Sequence, residues 1–319
     1  MTRYIRNTAI LAKIETTEGT DSVPTGSANA LLVSDVSINA LNAQNVERDL
    51  LRPFFGGNEQ LAGPSFKEVS FTVELAGSGT AGTAPAWGPL VEACGFVGSG
   101  AAGFRQFAPG TPASQKSCTI YYFDDGVRHR LLGAKGTFTL SAGVGERPTL
   151  AFTFQGLDGG DTAVSNPAVT LTAFRAPLVI TDANSGDVRM GGTYATGAVT
   201  SGTAYTSRGL ELSLGNTVSF TPLLGGEFID LSARAVTGTI QMNLTAIEQV
   251  ELMTAVKSNA LSSMSLEHGS AAGAIVGVFM AAVQLSNPTQ QEVNGRRLIG
   301  FELSSVPLAG NDDLIIYTK

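Results

Sequence analysis

The stretch Lys67-Glu-Val-Ser-Phe-Thr-Val-Glu-Leu75 decides the fold. Val69, Phe71, Val73 and Leu75 point one way, and Ser70, Thr72 and Glu74 point the other. A strict period of two marks an antiparallel strand with one buried and one wet face. Working outward, Gly136–Ser141 and Thr149–Gln155 read as two more strands, joined by a turn around Gly143 to Pro148. Asp124-Asp-Gly126 lies between the apolar runs Thr119–Phe123 and Val127–Leu132. Asp-Gly takes the positive φ angles of a tight hairpin readily, so these runs are expected to pair. Pro85–Cys94 reads as a short helix that Gly95 ends. Upstream, strand signals start at Ala30–Ile38. Residues 42–64 lack a strong pattern and are expected to form a long polar loop. Residues 1–30 are expected to form an ordered arm rather than a core element.

The second half repeats this order. Leu210–Leu214 and Thr217–Phe220 open it as strands, and Thr237–Leu244 alternates as Lys67–Leu75 does. Ala246–Lys257 follows with helical spacing, in the place of the helix near Trp87. A strand at Ser262–Glu267 corresponds to Thr119–Phe123. The pair Ile275–Ser286 and Arg297–Ser304 corresponds to the pair at 136–155, with Phe301 matching Phe152 and Leu303 matching Phe154. The expectation is a tandem duplication within an all-β chain with minor α. The divisions fall at residues 1–160, a linker or insert at 161–205, and 206–319, each domain with one flanking short helix.

Composition narrows the function. Of 319 residues 43% are hydrophobic, which is ample for sizeable cores. Only 15% are charged, against roughly 25% in ordinary globular domains, which suits a surface hidden in an assembly. The net charge of −7 gives no electrostatic reason to hold nucleic acid, because phosphate binding rests on clustered Lys and Arg. Cys94 and Cys118 form no CxxC motif and read as two free buried thiols. The apolar run between Ala271 and Leu285 is short for a membrane span and is broken by Gly273 and Gly277, so it reads as a strand. With no secretory signal legible at the start, synthesis and assembly in a cytoplasm are expected.

No catalytic constellation emerges, and neither a cofactor nor a metal is expected. Gly77-Ser-Gly-Thr-Ala-Gly82 fits GxGxxG between a strand and a helix. Its preceding strand alternates, however, whereas a dinucleotide fold buries both faces there, and no acidic residue follows at the required distance. His129 and His268 lack partners at metal-ligand or triad spacing and read as surface or packing residues. Asp182, Asn184 and Asp187 around Gly186 lack the closing glutamate of a calcium loop and read as a turn.

Two segments do carry a resemblance. Lys13-Ile-Glu-Thr-Thr-Glu-Gly-Thr-Asp-Ser-Val-Pro-Thr-Gly26, running into Asn29-Ala-Leu-Leu-Val33, resembles the N-terminus of major tail-tube proteins from long-tailed, siphovirus-like bacteriophages. Gly77-Ser-Gly79 followed by Ala84–Gly95 is similar to the same family. The likeness covers the first half well and the second half by pattern. It implies two tandem tail-tube-like β-sandwich or barrel domains, whose subunits form rings with inner strands joined into a continuous barrel. It also implies a lumen that holds a tape-measure protein and later conducts DNA without binding either specifically. Tail terminator and distal tail proteins would be partners at the ends, with no membrane involved.

On that reading the polar strand faces line the lumen, which nominates Ser70, Thr72, Glu74, Thr153, Gln155, Gln241, Asn243 and Glu302. Carboxylates and amides there would let phosphates slip past. The segment around Glu47, Arg48, Asp49, Arg52, Phe54 and Phe55 is the candidate contact between stacked rings. Two domains per chain favour rings of three chains over rings of six. The competing readings are another ring-forming tail protein, such as a terminator or distal tail protein, a secreted β-rich adhesin or surface subunit, and a carbohydrate-active enzyme. The enzyme ranks last, because no aromatic pocket with paired carboxylates can be placed.

Overall fold

The computed structural model of the chain describes Arg3, Tyr4 and residues 6–319. Strands hold 54% of the chain and helices 7%, so the fold is all-β with minor α. The first half runs through β1 (Thr8–Ile14), β2 (Ala30–Leu31), β3 (Ser34–Glu47) and β4 (Gln60–Glu74). Helix α1 (Gly88–Ala93) and a hairpin of β5 (Phe96–Ala101) and β6 (Phe104–Pro109) follow. Then come β7 (Cys118–Asp124), β8 (Val127–Gly143) and β9 (Thr149–Ala163).

Four short strands lie between 188 and 205: β10 (Val188–Met190), β11 (Thr193–Ala195), β12 (Ala198–Thr200) and β13 (Thr203–Tyr205). After them run β14 (Ser207–Ser213), a hairpin of β15 (Thr217–Leu223) and β16 (Gly226–Ala233), and β17 (Thr237–Met242). The chain ends with α2 (Ala246–Lys257), β18 (Leu261–His268), β19 (Val276–Val293), β20 (Arg296–Val306) and β21 (Ile315–Thr318).

All named strand pairings are antiparallel. Eight strands lie side by side in the order β3-β4-β9-β8-β14-β17-β20-β19. β8 makes the join between the halves. Its first part pairs with β7 from Val127 to Ala134, and its last part pairs with β14 from Thr139 to Gly143. The strand bends between these parts, where the ladder to β9 slips between Leu132 and Lys135 and Gly133 takes φ +59°. Gly209, at the edge of the β8–β14 seam, has φ +112°, and a Cβ there would lie 2.0 Å from the Ala142 carbonyl oxygen. Only glycine fits so close a backbone approach.

One face of this sheet packs a continuous apolar core. Phe71, Phe138, Leu140, Phe152, Leu210, Leu212, Ile240 and Phe301 are all buried in one hydrophobic cluster. The cluster also takes in Ile10 of β1, Ile120 of β7, Met190 of β10, Met264 of β18 and the α1 residues Leu90 and Val91. The period-two pattern thus buries every second residue, as the fold demands. Helix α1 starts at a proline turn behind Trp87, whose indole Nε1–H donates to the Ala76 carbonyl at 2.8 Å. Helix α2 starts with a capping box in which the Thr245 and Glu248 side chains each bond the other's backbone N–H.

Two expectations need correction. The N-terminal segment is not an arm outside the core. β1 pairs with both β2 and β7, and Ile10 and Leu11 are each 1% exposed. Its apolar patch Ala9–Ala12 is short, and β2 has only two residues, so local periodicity could not show it. Second, 42–64 is largely strand. β3 and β4 stay paired out to Glu47 and Gln60, which leaves 48–59 as the loop. Three register shifts along this hairpin break the alternation that would have marked it. Cys94 and Cys118 are free and buried, as expected.

Candidate functional site: a polar sheet face, two open edges and two apolar tips

The face of the eight-stranded sheet opposite the core is polar, and the strand registers fix how its residues line up. One row crosses seven strands: Glu74, Thr149, Ser141, Glu211, Thr239, Glu302 and Ser286. A second row runs Thr72, Ala151, Thr139, Ser213, Thr237, Ser304 and Gln284. A third runs Ser37, Ser70, Thr153 and Thr137. Across the join between the halves, Thr139, Glu211, Thr237, Thr239 and Glu302 line a shallow depression of about 480 Å³.

Every nominated polar-face residue within a strand falls on this face. Ser70 pairs with Thr153, Thr72 follows one row on, and Gln241 pairs with Gly300. Glu74 is held by Arg147 Nη1 at 2.8 Å. Gln155 Nε2 donates to Glu68 at 3.1 Å, and Asn287 Nδ2 donates to Glu302 at 2.6 Å. Asn243 lies one residue past β17 and is exposed. Sequence reading missed Glu211, Ser213, Thr139 and Thr239. The alternation in Leu210-Glu-Leu-Ser-Leu214 already set Glu211 and Ser213 opposite the leucines, but it could not reveal that β14 joins the two halves.

The sheet is open at both ends. Among the described residues, β3 has β4 as its sole strand partner, so its outer edge is free from Ser34 to Glu47. β19 pairs with β18 only as far as Gln284, and from Leu285 to Val293 its sole partner is β20. Free edges present unpaired N–H and C=O groups that template another strand.

Beyond the sheet, two hairpin tips expose apolar side chains. In the first half Glu47 ends β3, Arg48 and Glu59 form an ion pair, and Asp49 and Arg52 are exposed. Leu51 is 103% exposed, Phe55 108% and Phe54 64%. In the second half the β15–β16 tip exposes Leu223, Phe228 and Leu224, the last at 107%. Isolated monomers rarely hold such apolar side chains out in clusters.

Two buried titratable side chains, Lys67 and His268, are each held by hydrogen-bonding or ionic partners. Lys67 is 1% exposed and lies between Asp158, at 2.7 Å, and Asp161, which also meets His129 Nδ1 at 2.9 Å. Burial alone would push the Asp161 carboxyl up, but Lys67 and His129 outweigh it and hold it below the ordinary range. His268 is bracketed by Ser185 Oγ at 2.8 Å and the Leu178 carbonyl at 2.9 Å. Both its ring nitrogens are therefore occupied, and burial pushes it towards the neutral form.

A long antiparallel wall, apolar behind and polar in front, with unsealed edges and apolar tips, is the build of a structural subunit that assembles with copies of itself. The chain belongs to the phage tail tube protein family, which matches residues 5–317. It is a structural component of the virion tail, and its family is not one of enzymes. No curated protein gives a significant match.

Proposed function

We propose that three chains close into one ring, that rings stack into the tail tube, and that the polar sheet face lines the lumen. The observation that carries this is the pairing order. β1–β2, β1–β7, β7–β8, β8–β9, β4–β9 and β3–β4 recur as β10–β13, β10–β18, β18–β19, β19–β20, β17–β20 and β14–β17. Each half is a module of the same plan, with the second module starting at β10 inside the 161–205 stretch. A chain with two modules makes a ring of six modules from three copies.

Eight strands from each of three chains give 24 in the ring. At about 4.8 Å between strands and a tilt of about 40°, the barrel is roughly 45–50 Å across at the backbone. That is wider than barrels that already leave an aqueous channel. Each chain brings Glu74, Glu211 and Glu302 in one row, so a ring carries a belt of carboxylates facing inward. Such a wall repels phosphate rather than gripping it, which suits a conduit for the tape-measure protein and then for DNA. The apolar tips at 50–55 and 223–228 repeat once per module and provide contacts to the next ring. They favour a stacking tube component over a terminator or distal tail protein, which ends a stack or forms one ring.

Electron microscopy of the purified chain tests this reading. Hollow tubes with three chains per ring are expected. Single rings that never stack would move the assignment to another ring-forming tail protein, and six chains per ring would overturn the trimer.

A further inference from the structure

The join between the two halves of one chain describes the join between two chains. β14 lies on the last part of β8 with Leu212 opposite Leu140 and Glu211 opposite Ser141. The strands in the same places of the pairing order are β3, which has a free outer edge, and the last part of β19, which also has one.

The register carries across by independent routes. On one side, Phe71 pairs with Phe152 and Ile240 with Phe301, so Phe71 and Ile240 hold one place. Two residues before each, Val69 pairs with Ile38 and Gly238 with Leu212, so Ile38 stands where Leu212 stands. Three residues before each lies a residue with positive φ, Asp35 at +52° and Gly209 at +112°. On the other side, the hairpin ladders end at Cys118–Ala134 and Leu261–Gln284. Six residues on lie Leu140 and Gln290. The neighbouring strand agrees, because Leu140 pairs with Leu150 and Gln290 with Ile299, each two residues before Phe152 or Phe301.

Resting on the ring reading above, we propose that β3 of one chain docks antiparallel on residues 289–292 of the next. Ile38 lies opposite Gln290 of the partner subunit, and Ser37 opposite Gln291 of the partner subunit. Parity supports this register: Ile38 packs on the core side with Val36, and Gln290 pairs with the buried Ile299, so core side meets core side. Pairing begins at Val36, because Asp35 has a side chain where Gly209 needs none.

The same rule places the arm beyond β3. Asn216 Nδ2 donates to the Cys94 and Gly136 carbonyls, both at 2.8 Å, and fixes the β15–β16 hairpin to the first half. Asn42 holds the matching place, four residues after Ile38. In the hairpin, Phe220 pairs with Ile229, which is 1% exposed. In the arm the matching pair is Val46 and Leu61, which are 59% and 53% exposed. The arm's base therefore lies over β19 and β20 of the partner subunit and covers Val46 and Leu61, while the tip reaches onward.

The test is disulfide trapping in assembled tubes. Ser37→Cys with Gln291→Cys should cross-link on mild oxidation into covalent species of up to three chains, since opposite residues have Cα atoms about 4.5–5.5 Å apart. Each single variant should stay uncross-linked, and Ser37→Cys with Val293→Cys should react far less. Tubes that form normally but link best in the shifted pair would overturn this register and leave the tube reading standing. Failure of the unaltered chain to form tubes would instead sink the tube reading. If the double variant does not assemble, a reconstruction of unaltered tubes decides, with Ser37 beside Gln291 of the next chain or elsewhere.

Discussion

Residues 137–143 and 287–293 occupy the same place in the two halves, yet one is sealed and the other is bare. In β8, Phe138, Leu140 and Ala142 are buried, and the residues between them are half-buried. In β19, every residue from Asn287 to Glu292 is exposed. The backbone plan is shared, so the difference lies in whether a neighbouring strand is present. It also reaches composition: where β8 has Leu140 and Ala142, β19 has Gln290 and Glu292. An edge that must wait in water for its partner is protected by polar and charged side chains against wrong pairing. A seam made within one chain has no such wait and can be apolar.

The largest way to break this contrast is at the sealed seam. Leu212 and Leu140 are each 1% exposed and face each other across it. Leu212→Ala should lower subunit stability by about 2–5 kcal/mol, read by denaturant unfolding of unassembled chain. Ile38→Ala, at the matching place on the open edge, should cost about 1 kcal/mol in the subunit, because Ile38 is only half-buried there. Its main effect should appear as a higher protein concentration needed for tube growth. Equal subunit losses in the two variants would mean that the edges are not counterparts. Smaller still for the subunit is replacement of residues 49–58 by Asn-Gly, which closes the β3–β4 hairpin with a tight turn. Subunit stability should stay within about 0.5 kcal/mol, while stacking is lost and single rings accumulate. Tubes of normal length from this variant would remove the tip from the stacking contact.

Much of this architecture was legible in the residues. Val69, Phe71 and Val73 alternate with polar neighbours, and the matching run at Thr237–Leu244 does the same, so strand, face and repeat follow from period two. Glu74 and Glu302 could be placed on one face from such patterns alone. Two kinds of feature stayed hidden. β1 is a core strand because β7 and β2 flank it, and nothing in Thr8–Ile14 states which strands those are. Residues 42–47 and 60–64 are strand despite weak alternation, because bulges shift the side-chain parity and a paired backbone needs no apolar stripe. Glu211 was missed for the first of these reasons: its own pattern was clear, but its row depends on the non-local pairing of β14 with β8.

The halves also differ in charge, and acid should reveal which one yields first. Lys67 is buried in the first half, and the matching position in the second is Val236, also buried, two residues before Gly238. Among the described residues, the carboxyls held below their ordinary range are Asp21, Asp125 and Asp161 in the first half and Glu248 in the second. A carboxyl with a lower pKa folded than unfolded binds its proton more tightly in the unfolded chain. Its stabilising contribution is present above the unfolded value, 3.8 for an aspartate, and is lost as pH falls through the folded one. Thermal stability should therefore fall as pH drops below about 4, and Asp161→Asn should be less stable than the unaltered chain at pH 7. The gap should close as pH falls below 3.8 and through the folded value, since acid and the mutation remove the same charge from beside Lys67. Asp161 is about half exposed, so solvent screening keeps the gap modest. Hydrogen exchange at pH 3 should then show β4, β8 and β9 opening before β17, β19 and β20. The reverse order would mean that the Lys67 cluster does not set the acid limit of the first half.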